Sequence, residues 1–378
     1  MKKDYKICTR CIMDTSDAEI QFDENGVCNH CRRAEYLMKM PPYSLSIEDK
    51  RMEWGKLTNK IKEEGKGKKY DCIVGVSGGV DSTFVLYKAV KAGLRPLAVH
   101  LDNGWDADIA ISNMKNVVEK LGVDYFNFDC TGPEYTDLQV AFLLASTPDA
   151  EIPTDHALAE FLYKMARNNQ VKYILTGTNL ATESILPRTW SHGHGDWKYI
   201  KSVYKIHGKG ELKTFMHRTL IGNYIDTKIR NIRWVHTLNY FDYVKKDAMK
   251  TIQKECGWKD YGGKHYESVY TRFVQAYILP VKFGYDKRRA HASSLVIAGQ
   301  MTRQQALDSV KGDPYPTKEM LKRDTKQVLN KLGLSSSEFK KIMEMPPKSF
   351  WDYPSYETSA FWNFVQSAYY KIYRKKKK

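Results

Sequence analysis

No run of apolar residues comes near the ~18–20 that a membrane span requires, and the mean hydropathy of −0.55 is that of a water-soluble globular protein. Cysteine is scarce. Of the seven in 378 residues, Cys72, Cys130 and Cys256 stand alone, and the opening Met1-Lys2-Lys3-Asp4-Tyr5-Lys6 leads into no apolar segment. A disulfide-stapled secreted scaffold is therefore not expected, and a reducing cytoplasm is. Acidic residues are in deficit: 44 Asp and Glu against 60 Lys and Arg leave a net charge of +16. That balance says little about fold but points to polyanionic partners. A tRNA, a nucleotide-linked sugar with ATP, or an acidic protein would each fit it. Five of the cations crowd into Arg374-Lys375-Lys376-Lys377-Lys378, which reads as a solvated terminus.

The other four cysteines are paired. Cys8-x-x-Cys11, sixteen residues, then Cys28-x-x-Cys31 matches the spacing of a tetrathiolate zinc site. Each C-x-x-C turns two thiolates toward one point, and two such turns close a tetrahedron around Zn²⁺. Asp23-Glu24-Asn25-Gly26 between them is a turn signal suited to a β-hairpin. The expectation is a structural zinc ribbon or knuckle held by Cys8, Cys11, Cys28 and Cys31.

The most specific stretch is Ser77-Gly78-Gly79-Val80-Asp81-Ser82-Thr83. It follows an apolar run at 70–76 that reads as a buried parallel strand. It precedes a helical run that stops at Gly93. Strand, glycine turn and helix together aim free backbone N–H groups and a positive dipole end at an anion. No lysine sits in the turn, so it is not the G-x-x-x-x-G-K-[ST] loop.

Strand and helix then alternate. Strands are expected at 96–101, 125–128 and 173–175, with helices at 108–121, 135–145 and 155–168. Repeated βα units imply an α/β, doubly wound parallel sheet with ligands at the carboxyl ends of its strands. The glycine turn, His100-Leu101-Asp102 and Thr176-Gly177-Thr178-Asn179 all fall at such ends. The domain reading is a zinc module at 1–40, a linker at 41–69 with a short helical stretch around 47–62, a nucleotide-binding domain at 70–270 and a mostly helical C-terminal region at 271–378. Residues 184–270 break the alternation. His192 and His194 stand in a Gly-rich loop with too few companions for a metal site. Further on, Lys282, Lys287, Arg288 and Arg289 fall within eight residues, beside aromatics and a glycine. They read as a phosphate or carboxylate clamp.

Taken together, the C-x-x-C pairs, SGGVDST, Lys264-His265-Tyr266-Glu267-Ser268 and the block from Leu279 through KFGYDKRRAH to Leu307 resemble the N-acetyl sugar amidotransferases of the WbpG/PseA type. These are PP-loop ATP pyrophosphatases with an adenine nucleotide alpha hydrolase-like fold. The resemblance spans nearly the whole chain and lies nearer the WbpG branch. It implies conversion of a sugar acetamido group to an acetamidino group through an O-adenyl imidate, with ATP and Mg²⁺. UDP-2,3-diacetamido-mannuronic acid, a precursor of O-antigen, is the implied substrate. Ammonia would come from a glutaminase and cyclase-like pair similar to HisH and HisF. On this reading Ser77, Gly78, Gly79, Val80, Asp81 and Ser82 hold pyrophosphate. Asp81, with Glu183 as a second candidate, holds Mg²⁺. His100, Leu101, Asp102, Gly177 and Thr178 line the adenosine pocket. Asp81, Ser82, Lys282, Arg288 and Arg289 are the candidate catalytic groups, with Lys287 beside them.

Alternatives follow from the same residues. A pseudaminic or legionaminic acid sugar would suit the same chemistry. A tRNA-thiolating PP-loop enzyme also pairs zinc knuckles with SGGxDS, but it needs further catalytic cysteines, and the three left over are far apart. A nucleotide-binding module without activity would be expected to lose the loop serine and aspartate, and both are present. Neither residue 2 nor any lone cysteine offers a glutaminase nucleophile, so ammonia is expected from a partner. No contact with membrane or nucleic acid is expected.

Overall fold

The computed structural model describes residues 4–263 and 266–359. Lys264, His265 and the basic run at 374–378 lie outside the described residues. In chain order the helices are α1 (Asn29–Met38), α2 (Ile47–Glu64), α3 (Val80–Lys91), α4 (Asp108–Leu121), α5 (Pro133–Leu144), α6 (Ile152–Asn168), α7 (Leu180–Glu183), α8 (Trp197–His207), α9 (Leu220–Tyr224), α10 (Lys245–Cys256), α11 (Val269–Phe273), α12 (Arg288–Ile297), α13 (Arg303–Ser309), α14 (Lys318–Leu332) and α15 (Ser336–Glu344). The strands are β1 (Cys72–Gly75), β2 (Pro96–Asp102), β3 (Tyr125–Asp129), β4 (Tyr173–Thr176) and β5 (Arg233–His236).

The five strands form one parallel sheet in the order β3-β2-β1-β4-β5. Successive side chains on a strand face opposite ways, so a central strand needs apolar residues on both faces. β1 meets this with Ile73 in one core and Cys72 and Val74 in another. β2 does the same: Leu97, Val99 and Leu101 turn toward α5 and α6, and Ala98 toward α3. The chain winds outward through β2 and β3, then returns to place β4 against the other edge of β1. The switch point lies between β1 and β4, where such sheets open a crevice at their carboxyl ends.

Three regions go beyond the sequence reading. The helical stretch expected inside the linker 41–69 is α2, and it buries Trp54 and Ile61 in the core under β1. Lys50 on the same helix pairs with Asp242 at 2.7 Å. The irregular stretch 184–270 contains the fifth strand. Only Val235 of β5 is buried, because an edge strand with one covered face needs little apolar sequence. Beyond α11 the chain continues from Val274 to Phe283 in wide π winding that carries Pro280 within it. Gly284, with φ of +75°, ends it, in the left-handed conformation glycine adopts freely.

The Cys-rich module is not a separate body. Cys8, Cys11, Met13, Ile20, Cys28, Cys31 and Ala34 share one core with Tyr270 and Phe273 of α11, Val328 and Leu332 of α14, and Phe339 of α15.

Shortening Ile61 to Ala removes three carbons from a fully buried position on α2. A cost of about 2–5 kcal/mol is expected in urea unfolding. A mere connector would give less than about 0.5 kcal/mol.

Candidate active site

The crevice at the switch point is a cavity of about 370 Å³. Its floor is the turn from β1 to α3. Gly78 takes φ of +72°, and a Cβ there would lie 2.5 Å from the carbonyl oxygen of Ala110 and 2.9 Å from its Cα. The first turn of α4 thus presses directly on the loop, and only glycine fits. Gly79 caps α3 without any side-chain cap, so the positive end of the helix dipole is turned to the cavity, where the Tyr261 hydroxyl meets the Val80 N–H. Ser77 and Ser82 face each other, hydroxyl to hydroxyl, at 3.2 Å. Behind the loop, the Trp258 indole N–H donates to the Gly78 carbonyl at 2.8 Å.

The turn after β4 forms the facing wall. A Cβ on Gly177 would meet Asp81 Cβ at 2.9 Å and the Asp81 carbonyl carbon at 3.0 Å. Two βα turns therefore meet backbone to backbone. Asp81 accepts a hydrogen bond from the Tyr243 hydroxyl. Burial, then the Asp81 charge, hold that phenol well above its usual range.

His100 stands at the carboxyl end of β2 with both ring nitrogens engaged: Nδ1 lies 2.7 Å from the Val76 carbonyl and Nε2 2.7 Å from Asp106. Burial opposes its charge, but the Asp106 carboxylate and the Val76 carbonyl outweigh that and raise its pKa. Two acceptors on one imidazole favour the doubly protonated cation. At the other end of the cavity, Leu158, Leu162, Leu175 and Trp234 make an apolar wall.

Most expected residues meet here. Ser77, Gly79, Val80, Asp81, Ser82, His100, Leu101, Gly177, Thr178 and Glu183 line the cavity, and Gly78 supports it from beneath. Asp102 accepts the Gly104 N–H at 2.7 Å instead, and so shapes the turn after β2. The cationic block is elsewhere. Lys282 donates to the Ile342 carbonyl, and burial lowers its pKa to about 8. Arg288 pairs with Asp286 at 2.6 Å and reaches the Gly312 carbonyl at 3.1 Å. Arg289 binds Asp14 at 3.1 Å and the Ile12 carbonyl at 3.1 Å. These contacts hold the C-terminal region together and tie it to the Cys-rich module. Lys245, at the start of α10, is the only lysine or arginine lining the cavity among the described residues. It carries no motif, and nothing in its neighbourhood of the sequence singles it out. Tyr261 and Glu267 also line the cavity. Glu267 reaches it because residues 105–107 pair with 267–269, through Ala107 N–H to the Glu267 carbonyl at 2.8 Å and Val269 N–H to the Trp105 carbonyl at 2.8 Å.

The four paired cysteines fit zinc. Their sulfurs stand 3.6–3.8 Å apart along three edges, and all four are buried and unbridged. A tetrahedron with Zn–S bonds near 2.3 Å has edges of about 3.8 Å. Arg303 donates to the carbonyls of Cys8 at 2.9 Å and Cys11 at 3.1 Å from outside. The remaining cysteines are poor nucleophiles: burial pushes the Cys130 thiol up to about 12 and Cys256 to about 11. That opposes the sulfur relay a thiolating enzyme would need. His192 and His194 bind Glu357 and Asp149 rather than converging on a metal.

Comparison with known proteins adds two family matches. The model described as "LPS biosynthesis protein WbpG-like, C-terminal domain" matches residues 267–369, and that described as "NAD synthase" matches residues 52–217. An uncharacterized protein of Methanocaldococcus jannaschii is 28% identical over 176 residues, which is 46% of this chain and 59% of that protein. Among solved structures, the NH3-dependent NAD synthetase of Campylobacter jejuni in complex with nitrate aligns at 15% identity and TM-score 0.30, over 56% of this chain and 84% of its own. The NMN synthetase of Francisella tularensis aligns at 14% identity and TM-score 0.28, over 59% of this chain and all of its own.

Gly177→Ala is expected to weaken ATP binding at least tenfold by calorimetry while the circular dichroism stays native. Gly132→Ala, which meets nothing within 4 Å, is expected to change neither. Purified protein is expected to carry one zinc per chain by atomic emission, and Cys28→Ser to lose it together with several degrees of Tm.

Proposed function

We propose that this chain is a member of the WbpG/PseA-type family of the PP-loop superfamily and an ATP-using amidotransferase of lipopolysaccharide biosynthesis. The reading continues to the chemistry: a sugar acetamido group becomes an acetamidino group, with AMP and pyrophosphate released. The observation that carries it is the glycine-built turn from β1 to α3, packed directly against Gly177 and lining the cavity, in a chain whose C-terminal part is WbpG-like.

ATP is a substrate here. Its pyrophosphate fits the loop at Ser77–Ser82, where backbone N–H groups and the helix dipole meet negative charge. Its base fits the apolar end at Leu158, Leu162 and Trp234. Lys245 and the His100 cation supply positive charge on either side. Asp81 and Glu183 are the carboxylates that would hold Mg²⁺, which neutralises phosphate charge when bound.

An acetamide carbonyl is a poor electrophile. Its oxygen attacks the α-phosphorus, pyrophosphate leaves, and the carbon acquires AMP as a leaving group. Ammonia attacks that carbon, the C–O bond to AMP breaks, and an amidine remains. The chain's part is positioning and charge neutralisation. UDP-2,3-diacetamido-mannuronic acid is the preferred substrate, and a glutaminase and cyclase-like pair the preferred ammonia source.

The test mixes protein, Mg-ATP, ammonium chloride and that sugar nucleotide. Sugar-dependent AMP, pyrophosphate and an oxygen-to-NH mass change are expected. Lys245→Ala is expected to lower kcat/KM at least 100-fold, about 2.7 kcal/mol of transition-state stabilisation. AMP formed only with tRNA and a sulfur donor would overturn the reading.

A further inference from the structure

The corner between α12 and α13 is fixed at both ends. α12 closes with the Gln300 N–H on the Leu295 carbonyl at 2.9 Å, around Gly299 at φ of +71°. α13 opens with a capping box between Thr302 and Gln305. One side of this corner receives the first C-x-x-C turn. Ile12, fully buried, packs against Ala292 of α12 and Ala306 of α13, with Val296 and Met301 beside it. Around that contact the Ile12 N–H donates to Ser293 at 3.2 Å, and Arg289 donates to the Ile12 carbonyl at 3.1 Å. Arg303 donates to the carbonyls of Cys8 and Cys11. The backbone that shapes the thiol-bearing turn is the backbone that the corner grips.

From the other side of the corner, two arms run to the cleft. In the first, the Gln300 amide donates to the Tyr243 carbonyl at 2.6 Å. Tyr243 is buried, its ring lies 5.8 Å from that of Phe84 on α3, and its hydroxyl donates to Asp81. In the second, Ser294 of α12 accepts the Ile185 N–H at 3.0 Å, two residues past Glu183. The arms end on or beside Asp81 and Glu183, the two carboxylates assigned above to Mg²⁺. Both line the cleft, whereas Gln300 and Ser294 do not. One corner therefore holds the C-x-x-C turn with one hand and both cleft carboxylates with the other.

We propose that Gln300 and Ser294 are positioning residues that couple the tetrathiolate module to the cation end of the nucleotide site. A bound zinc ion gives the Cys8–Cys11 turn one shape, against which the corner seats Ile12. Without it the four thiols share no centre, and the turn loses that shape. The Ile12 contact and the Arg303 bonds then loosen. The Gln300 amide no longer fixes the Tyr243 main chain, and the Tyr243 hydroxyl no longer fixes Asp81. Ligands of a metal depend on such outer partners for their orientation. Mg²⁺ demands near-ideal octahedral geometry, so affinity for the metal-bound nucleotide falls. Linkage makes the effect mutual: Mg-ATP strengthens zinc binding by the factor that zinc strengthens Mg-ATP binding.

The coupling rests on ATP in the cleft, as proposed above, but not on the sugar chemistry. Calorimetry on zinc-loaded protein reads it. Gln300→Met keeps the length of the side chain and removes its N–H. In this variant the Kd for Mg-ATP is expected to rise about tenfold, with the Kd for ATP in magnesium-free buffer within twofold. Gln304→Ala, an exposed neighbour on α13, is expected to change neither. In the wild type, saturating Mg-ATP is expected to strengthen zinc retention against a chromophoric chelator about tenfold, and in Gln300→Met by less than about threefold. Equal losses of Mg-ATP and magnesium-free ATP binding in Gln300→Met would reveal a general weakening of the fold and overturn the positioning role. Zinc retention indifferent to Mg-ATP overturns the coupling and leaves the nucleotide reading standing. A zinc-loaded wild type that binds no Mg-ATP overturns both.

Discussion

The structure depends on a close approach of two backbone turns. β1 and β4 are neighbours in the sheet but far apart in the chain, and the turns that follow them meet at Gly177 and Asp81. Neither turn has room for an added carbon. Much that surrounds the cleft holds this contact in place: Ala110 beneath Gly78, Trp258 on its carbonyl, Tyr243 on Asp81 and His100 on the Val76 carbonyl. The loop lines the cavity and is braced from behind and from its sides. Preorganised donors of this kind stabilise developing charge without having to reorient when the charge appears.

A second framework joins distant parts of the chain. Arg289 and Arg303 grip the backbone of the Cys-rich module, and Ser293 on α12 accepts the Ile12 N–H at 3.2 Å. The same helix packs on α7, where Ser294 accepts the Ile185 N–H at 3.0 Å. α7 carries Glu183 into the cleft. The C-x-x-C turns, the basic block and one wall of the cleft are thus mechanically continuous.

How much of this was legible in the sequence follows from the kind of signal each part leaves. Buried strands on both faces must be apolar throughout, so β1, β2 and β4 stood out. Glycine at a crowded turn and C-x-x-C pairs are local patterns, and they located the cleft floor and the tetrathiolate cluster. β5 did not stand out because only Val235 is buried. Lys245 did not because its role comes from where α10 starts in space. The cluster Lys282, Arg288 and Arg289 looked like a ligand clamp because charge near aromatics is ambiguous. Its partners, Asp14, the Ile12 and Ile342 carbonyls and Asp286, are mostly remote in the chain. A sequence displays cations but not the distant carbonyls that satisfy them.

The bond from Arg303 to the Cys8 carbonyl spans 295 residues. During synthesis the Cys-rich turns therefore emerge long before α11 to α15, the helices that cover their apolar side. The parallel sheet can assemble from nearer neighbours in the meantime. A module made well before those helices is among the last to be enclosed, and the nascent chain carries that apolar surface uncovered until they emerge. Early metal capture would keep those thiols occupied through the wait.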